Sequence, residues 1–172
     1  MPDKPLPILI IGAGVAGLTL AQGLRLRSIA FRLFERRPQS HIFHGHRFRI
    51  SKDGQSALNS VLSPLMQSIL RDTAAERHSF EPRYVDITKL DYPAPTPVDP
   101  ESMPLDRAWI RQLLSLDIED TIEYEKNFES YYETTDGMID VTFADGSVAR
   151  GRMLIGADGI KSLLYLHLCV VA

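Results

Sequence analysis

Residues 7–35 read PILIIGAGVAGLTLAQGLRLRSIAFRLFE, and the reading of this stretch decides the fold. Ile8 to Ile11 form a β-branched, apolar run of strand length, and Gly12, Gly14 and Gly17 follow in the G-x-G-x-x-G spacing of a dinucleotide-binding turn. Each glycine has a physical task. The first allows a tight turn out of the strand, the second lets a pyrophosphate approach the backbone, and the third lets the following helix pack closely on the sheet. Val15 to Arg27 is compatible with that helix, whose first N–H groups, around Ala13, Val15 and Ala16, can bind phosphate without a cationic side chain. A second strand, Ala30 to Phe34, ends in Glu35, eighteen residues beyond Gly17, where a carboxylate can accept hydrogen bonds from an adenosine ribose.

Size and charge narrow what surrounds this turn. At 172 residues, 44% of them hydrophobic, the chain can bury one sizeable core. A net charge of −3 favours neither nucleic acid nor anionic lipid as a partner. The single Cys169 excludes an internal disulfide framework and suits a reducing, cytoplasmic compartment. Lys4 followed by an apolar run has the outline of a secretory signal, but spaced glycines leading into a nucleotide fold argue against one. The apolar C-terminal stretch from Leu163 has ten residues, about half of the ~20 needed to cross a bilayer as a helix, so no transmembrane segment is expected.

Beyond Glu35, Arg36 and Arg37 either meet a phosphate or adenine, or form a solvated pair at the strand end. The segment HIFHGHRFRI at 41–50 carries His41, His44 and His46 in no zinc-like spacing, so it reads as a cofactor-facing loop turning into a strand at Arg47, with no metal. Ser51 or Asp53 can cap a helix with Ala57, Leu58, Val61 and Leu62 on its apolar face. Ser63-Pro64 restarts a helix, whose inward face is read as Leu65, Met66, Ile69 and Leu70. From 79 to 104 six prolines mark a loop-rich excursion with a strand candidate at Tyr84–Leu90. Asp106 then caps a helix in RAWIRQLLSL, with Ile110, Leu113 and Leu114 inward and Arg107 and Arg111 one turn apart. A basic residue at a helix start opposes the macrodipole, so Arg107 either answers to an anion or pairs with Asp106 or Glu101.

The remainder reads as a meander. Asp136-Gly137 and Asp145-Gly146 are hairpin signals separating strands around Tyr131-Tyr132, Met138–Phe143 and Val148–Ile155. The last apolar run, Met153–Ile155, re-enters the parallel sheet and delivers Gly156-Ala157-Asp158-Gly159 to the edge occupied by the first glycine turn.

Taken together, IIGAGVAGLTLAQGL with FERR, LDRAWIRQLL, the two hairpins and LIGADGIKS resemble the N-terminal part of FAD-dependent monooxygenases of the aromatic hydroxylase type. The resemblance implies an α/β fold, the glutathione-reductase-type FAD-binding (Rossmann-like) domain, with a parallel sheet, helices on one side and a β-meander on the other. It places an incomplete FAD-binding domain at 1–162, with an apolar tail at 163–172. By the same resemblance Gly12, Gly14 and Gly17 hold the FAD pyrophosphate and Glu35 the ribose, while Arg107 meets the pyrophosphate or ribityl side. The strand near Phe128 flanks adenine, and Asp158-Gly159 is the family's DG motif, serving FAD and NAD(P)H. Tyr165 stands where that motif usually continues to an arginine. The implied activity is NAD(P)H-dependent oxygenation of an organic small molecule by bound FAD, with no catalytic residue named. Family members are about twice as long, so a truncated product is expected, and a non-catalytic FAD-binding fragment or an NAD-binding Rossmann domain are the alternatives. Oligomeric state is left open.

Overall fold

The computed structural model describes residues 5–74, 88, 101–160 and 162–164. Apart from Thr88, the strand expected at Tyr84–Leu90 lies outside these residues, as do Tyr165, Cys169 and prolines 82, 93, 95, 97 and 100.

The glycine turn sits where the sequence puts it. Strand β1 (Ile8–Ile11) leads through it into helix α1 (Val15–Leu26), and β2 (Phe31–Phe34) follows. A 3-10 turn at Gln39–Phe43 precedes β3 (Arg47–Ile50). Helix α2 (Lys52–Val61) starts at Ser51, whose hydroxyl accepts from Gly54 N–H, and α3 (Pro64–Asp72) starts at Ser63, whose hydroxyl accepts from Met66 N–H. Strand β4 (Met103–Asp106) pairs antiparallel with β3. The expected excursion to 104 therefore ends earlier, and Pro104 lies within the strand, opposite Arg49. Among the described residues β4 pairs with β3 alone, an edge position that a residue without an N–H tolerates. Asp106 caps α4 (Arg107–Ser115) through Ala108 N–H and Trp109 N–H.

A short strand β5 (Ile122–Glu123) precedes the meander β6 (Phe128–Glu133), β7 (Ile139–Phe143) and β8 (Val148–Gly151), and β9 (Met153–Gly156) follows. The parallel sheet has the order β5-β2-β1-β9, and the meander forms a separate antiparallel sheet.

Alternation along β1 divides the core in two. Ile8 and Ile10 face α1 to α4, where Leu18, Leu33, Leu58, Leu70, Ile110 and Leu114 are buried. Leu9 and Ile11 face the meander, packing with Phe34, Val141, Phe143 and Ala149. The rings of Phe34 and Phe143 lie 4.7 Å apart, tilted by 43°. Leu164, expected in the apolar tail, is buried in this second cluster. Leu65, expected to face inward, is 71% exposed. Met66 and Leu70, four residues apart, are the inward stripe of α3, and Leu65 stands a residue off it. Ala57 is likewise exposed, while Leu58 is buried. Among the described residues no helix is long and apolar enough to cross a membrane.

Candidate functional site

The parallel register brings three chain segments to one edge. Ile11 aligns with Phe34 on one side and with Gly156 on the other, so Gly12, Glu35 and Ala157 leave their strands at the same level. Gly12 N–H donates to Phe34 O (2.7 Å) and Ala157 N–H to Ile11 O (2.7 Å), locking the three together. In open α/β sheets ligands bind outside the carboxyl ends of the strands, and a cavity of about 500 Å³ opens there. This volume lies within the roughly 300–1,000 Å³ of small-molecule sites.

The three glycines differ in what surrounds them. Gly12 has φ +107°, and a Cβ there would stand 2.4 Å from Ala157 O. At Gly17 a Cβ would lie 2.0 Å from Gly12 O, so that glycine permits the packing of α1 on the turn. A Cβ on Gly14, in contrast, would find its nearest atom 3.9 Å away, and Gly14 lines the cavity. The protein's own packing leaves that backbone face open. The N-terminus of α1 beside it has no side-chain cap, which leaves its first N–H groups available to an anion.

Glu35 is 8% exposed and faces the cavity. Its Oε2 accepts from Ala13 N–H (3.1 Å) and its Oε1 from Arg37 N–H (3.0 Å). Each oxygen retains acceptor capacity for a further donor. The cations Arg36, Arg37, Arg107, Arg111 and Lys126 share the wall with two acidic residues, Glu35 and Asp158. Lys126 is anchored to Asp145 Oδ2 (2.6 Å) and Ser147 Oγ (2.9 Å), and the Lys126 bond, with those that the Ser147 hydroxyl and N–H donate to Asp145 Oδ1, holds the Asp145 carboxyl well below its usual pKa. Asp158 Oδ2 accepts from Leu163 N–H (2.9 Å), closing the turn that follows Gly159.

Of the residues expected at a cofactor site, Gly12, Gly14, Glu35, Arg36, Arg107, Phe128, Asp158 and Gly159 line this single cavity. Ala13 and Gly17 lie behind it, both buried. Val15 and Ala16 start α1, but their side chains line a second cavity of about 810 Å³ between α1 and the β3–α2 unit. Arg107 stands in the cavity wall, while Glu101 pairs with Lys52 (3.0 Å) and Asp106 caps α4.

Arg37 and the histidines of the cofactor-facing loop line the wall as their sequence positions suggested, whereas Arg111 and Lys126 had been given no task there. Arg111 donates from Nε to Ala13 O (3.2 Å) and from Nη1 to His41 O (3.2 Å). Burial lowers its pKa from the usual value, and the Glu35 carboxylate opposes that shift. His41 Nε2 stands 2.7 Å from Arg37 Nη1. Arginine can only donate, so Nε2 accepts and the ring proton sits on Nδ1, which is buried without a partner among the described residues. Burial first, then Arg37 and His44, lower the His41 pKa from its ordinary value. Arg107 and Arg111 are four residues apart, which places both on one side of α4.

Comparisons with known proteins agree with this geometry. The description of NAD(P)-binding Rossmann-like domains matches residues 10–52. A dual O-methyltransferase/FAD-dependent monooxygenase of Phaeosphaeria nodorum is 34% identical over 170 residues, covering 92% of this chain and 18% of that protein. An FAD-dependent monooxygenase of Trichoderma harzianum is 32% identical over 168 residues, covering 91% of this chain and 39% of that protein. The solved structure of a protein assigned as an FAD-containing monooxygenase from Photorhabdus luminescens superposes with a TM-score of 0.79 at 27% identity, covering 96% of this chain and 43% of that one. Over nearly its whole length the chain is thus a relative of FAD-dependent monooxygenases, sharing their nucleotide-binding fold and spanning less than half the length of each of these relatives.

Proposed function

We propose that this chain binds FAD, as the FAD-binding part of a flavoprotein monooxygenase that draws electrons from NAD(P)H and oxygenates an organic small molecule, aromatic rings included. The open backbone face at Gly14, beside an uncapped helix N-terminus and opposite Glu35, is the observation that carries the reading. These groups fit the ADP portion of a dinucleotide. Gly12, Gly14 and the first turn of α1, with Ala13, Val15, Ala16 and Gly17 shaping it, would receive the pyrophosphate. Glu35 would accept from the ribose hydroxyls, and Arg36 and Phe128 would flank the adenosine. Arg107 would neutralise phosphate charge, and Asp158-Gly159 would face the ribityl side. Bound FAD would supply the redox chemistry, while the protein positions it and keeps water out. A cytoplasmic setting is proposed with it, since reduced pyridine nucleotide and a chain with a single cysteine both suit a reducing compartment.

The match of residues 10–52 to NAD(P)-binding domains favours a second reading, in which NAD is the resident dinucleotide. Titration separates the two. FAD is expected to bind at least about tenfold more tightly than NAD, a difference of roughly 1.4 kcal/mol, and equal or tighter NAD binding would overturn the proposal. Purified protein incubated with FAD should keep its flavin absorbance through gel filtration. NAD(P)H oxidation by the loaded protein then distinguishes a turnover-competent chain from one that only binds.

A further inference from the structure

Helix α4 presents two arginines one turn apart, and the one that reaches the glycine turn is Arg111. Its side chain is 8% exposed, and its Nε lies 3.2 Å from Ala13 O. We propose that Arg111 is a positioning residue, which holds the Ala13–Gly14 peptide, and through it the first turn of α1, in the orientation that receives a pyrophosphate. The inference rests on the dinucleotide reading above.

Ala13 is gripped from two sides by oppositely charged groups. Its N–H meets the Glu35 carboxylate at the end of β2, and its carbonyl meets the Arg111 guanidinium on α4. The first bond fixes the Gly12–Ala13 peptide and the second fixes Ala13–Gly14. Peptides are planar and the described chain has no cis bond, so Gly14 N–H points opposite to the carbonyl that Arg111 holds. Gly14 has the backbone freedom of a glycine, and among the described residues the nearest atom to a Cβ there is Ala157 O at 3.9 Å, so packing does little to hold it. With no side chain capping α1, a buried charge-assisted hydrogen bond from outside the turn is what sets the direction of the N–H groups at the helix start. Nη1 carries the same tie to His41 O, joining the 3-10 turn of the cavity wall to α4. A lysine offers one nitrogen where the arginine bridges two carbonyls with a planar fork.

The test titrates FAD, ADP and adenosine into wild type, Arg111→Met and Arg111→Lys, with amide NMR spectra of the ligand-free proteins. For Arg111→Met the expected loss is about tenfold or more for FAD and ADP, against about twofold or less for phosphate-free adenosine. The Gly14 and Val15 amide resonances should move before any ligand is added, and millimolar methylguanidinium should restore part of both signals. Arg111→Lys should fall between, and it decides the matter if Arg111→Met does not fold. Unchanged FAD affinity in both variants overturns the proposal. A loss of affinity with Gly14 and Val15 resonances unmoved also overturns it, since Arg111 would then touch phosphate directly, and so does an equal loss for adenosine. If wild type binds neither FAD nor ADP, the dinucleotide reading itself fails, which is visible without any variant.

Discussion

Among the described residues, a cavity of about 500 Å³ at the carboxyl edge of the parallel sheet and one of about 810 Å³ between the helix and the β3–α2 unit both border α1. The larger is walled mainly by apolar or small groups, among them Val15, Leu20, Phe48, Ala57 and Val61, with Arg27 and Arg49 also present. Arg27 is bonded to Gly23 O and Arg49 to Ser102 Oγ. The smaller combines an open glycine, a helix N-terminus, a buried carboxylate and several cations. A charged, oriented ligand is recognised by convergent polar groups rather than by volume, so the smaller cavity is the stronger candidate.

Substitutions on either side of α1 can break or sharpen that contrast. The largest effect is expected at Gly17, where any Cβ meets Gly12 O. Gly17→Ala should destabilise the fold by about 3 kcal/mol or more, read as a lowered urea midpoint. Gly14→Val tests the same turn without that clash, since its φ of −77° suits a side chain. It should keep the wild-type midpoint within about 1 kcal/mol while lowering FAD affinity by about a hundredfold, because the side chain fills the approach to the backbone. Glu35→Gln keeps the size but loses the charge, and a roughly tenfold loss of FAD affinity is expected by calorimetry. In the other cavity, Ala57→Leu should change FAD affinity by less than about twofold.

Acid offers a weaker probe of the wall. The folded His41 pKa lies below its ordinary 6.5, so the unfolded chain takes up a proton first as pH falls. The associated stability is complete above pH 6.5 and is lost as pH falls through the folded pKa. Thermal unfolding followed between pH 8 and 5 should show this decline, and His41→Gln should flatten it.

What was legible in the sequence follows from distance along the chain. The β1–turn–α1 unit, the caps at Ser51, Ser63 and Asp106, and both hairpin turns depend on neighbours a few residues away, and each lies where local chemistry puts it. Glu35 was legible because a short crossover fixes where β2 ends beside β1. Arg111 was not, because its partner Ala13 is ninety-eight residues earlier and helical periodicity alone gives it no special task. Lys126 enters the wall only through the meander, and Leu65 was misplaced because the two adjacent apolar pairs, Leu65-Met66 and Ile69-Leu70, do not reveal which member of each faces the core.

The most direct measurement of the central claim is calorimetric titration of FAD into wild type and Gly14→Val under one set of conditions. Tight, saturable binding by wild type and its near loss in a variant with an unchanged unfolding midpoint are the expected results. Equal FAD affinity in the two proteins would contradict the account, because the pyrophosphate would then not lie against the backbone at Gly14.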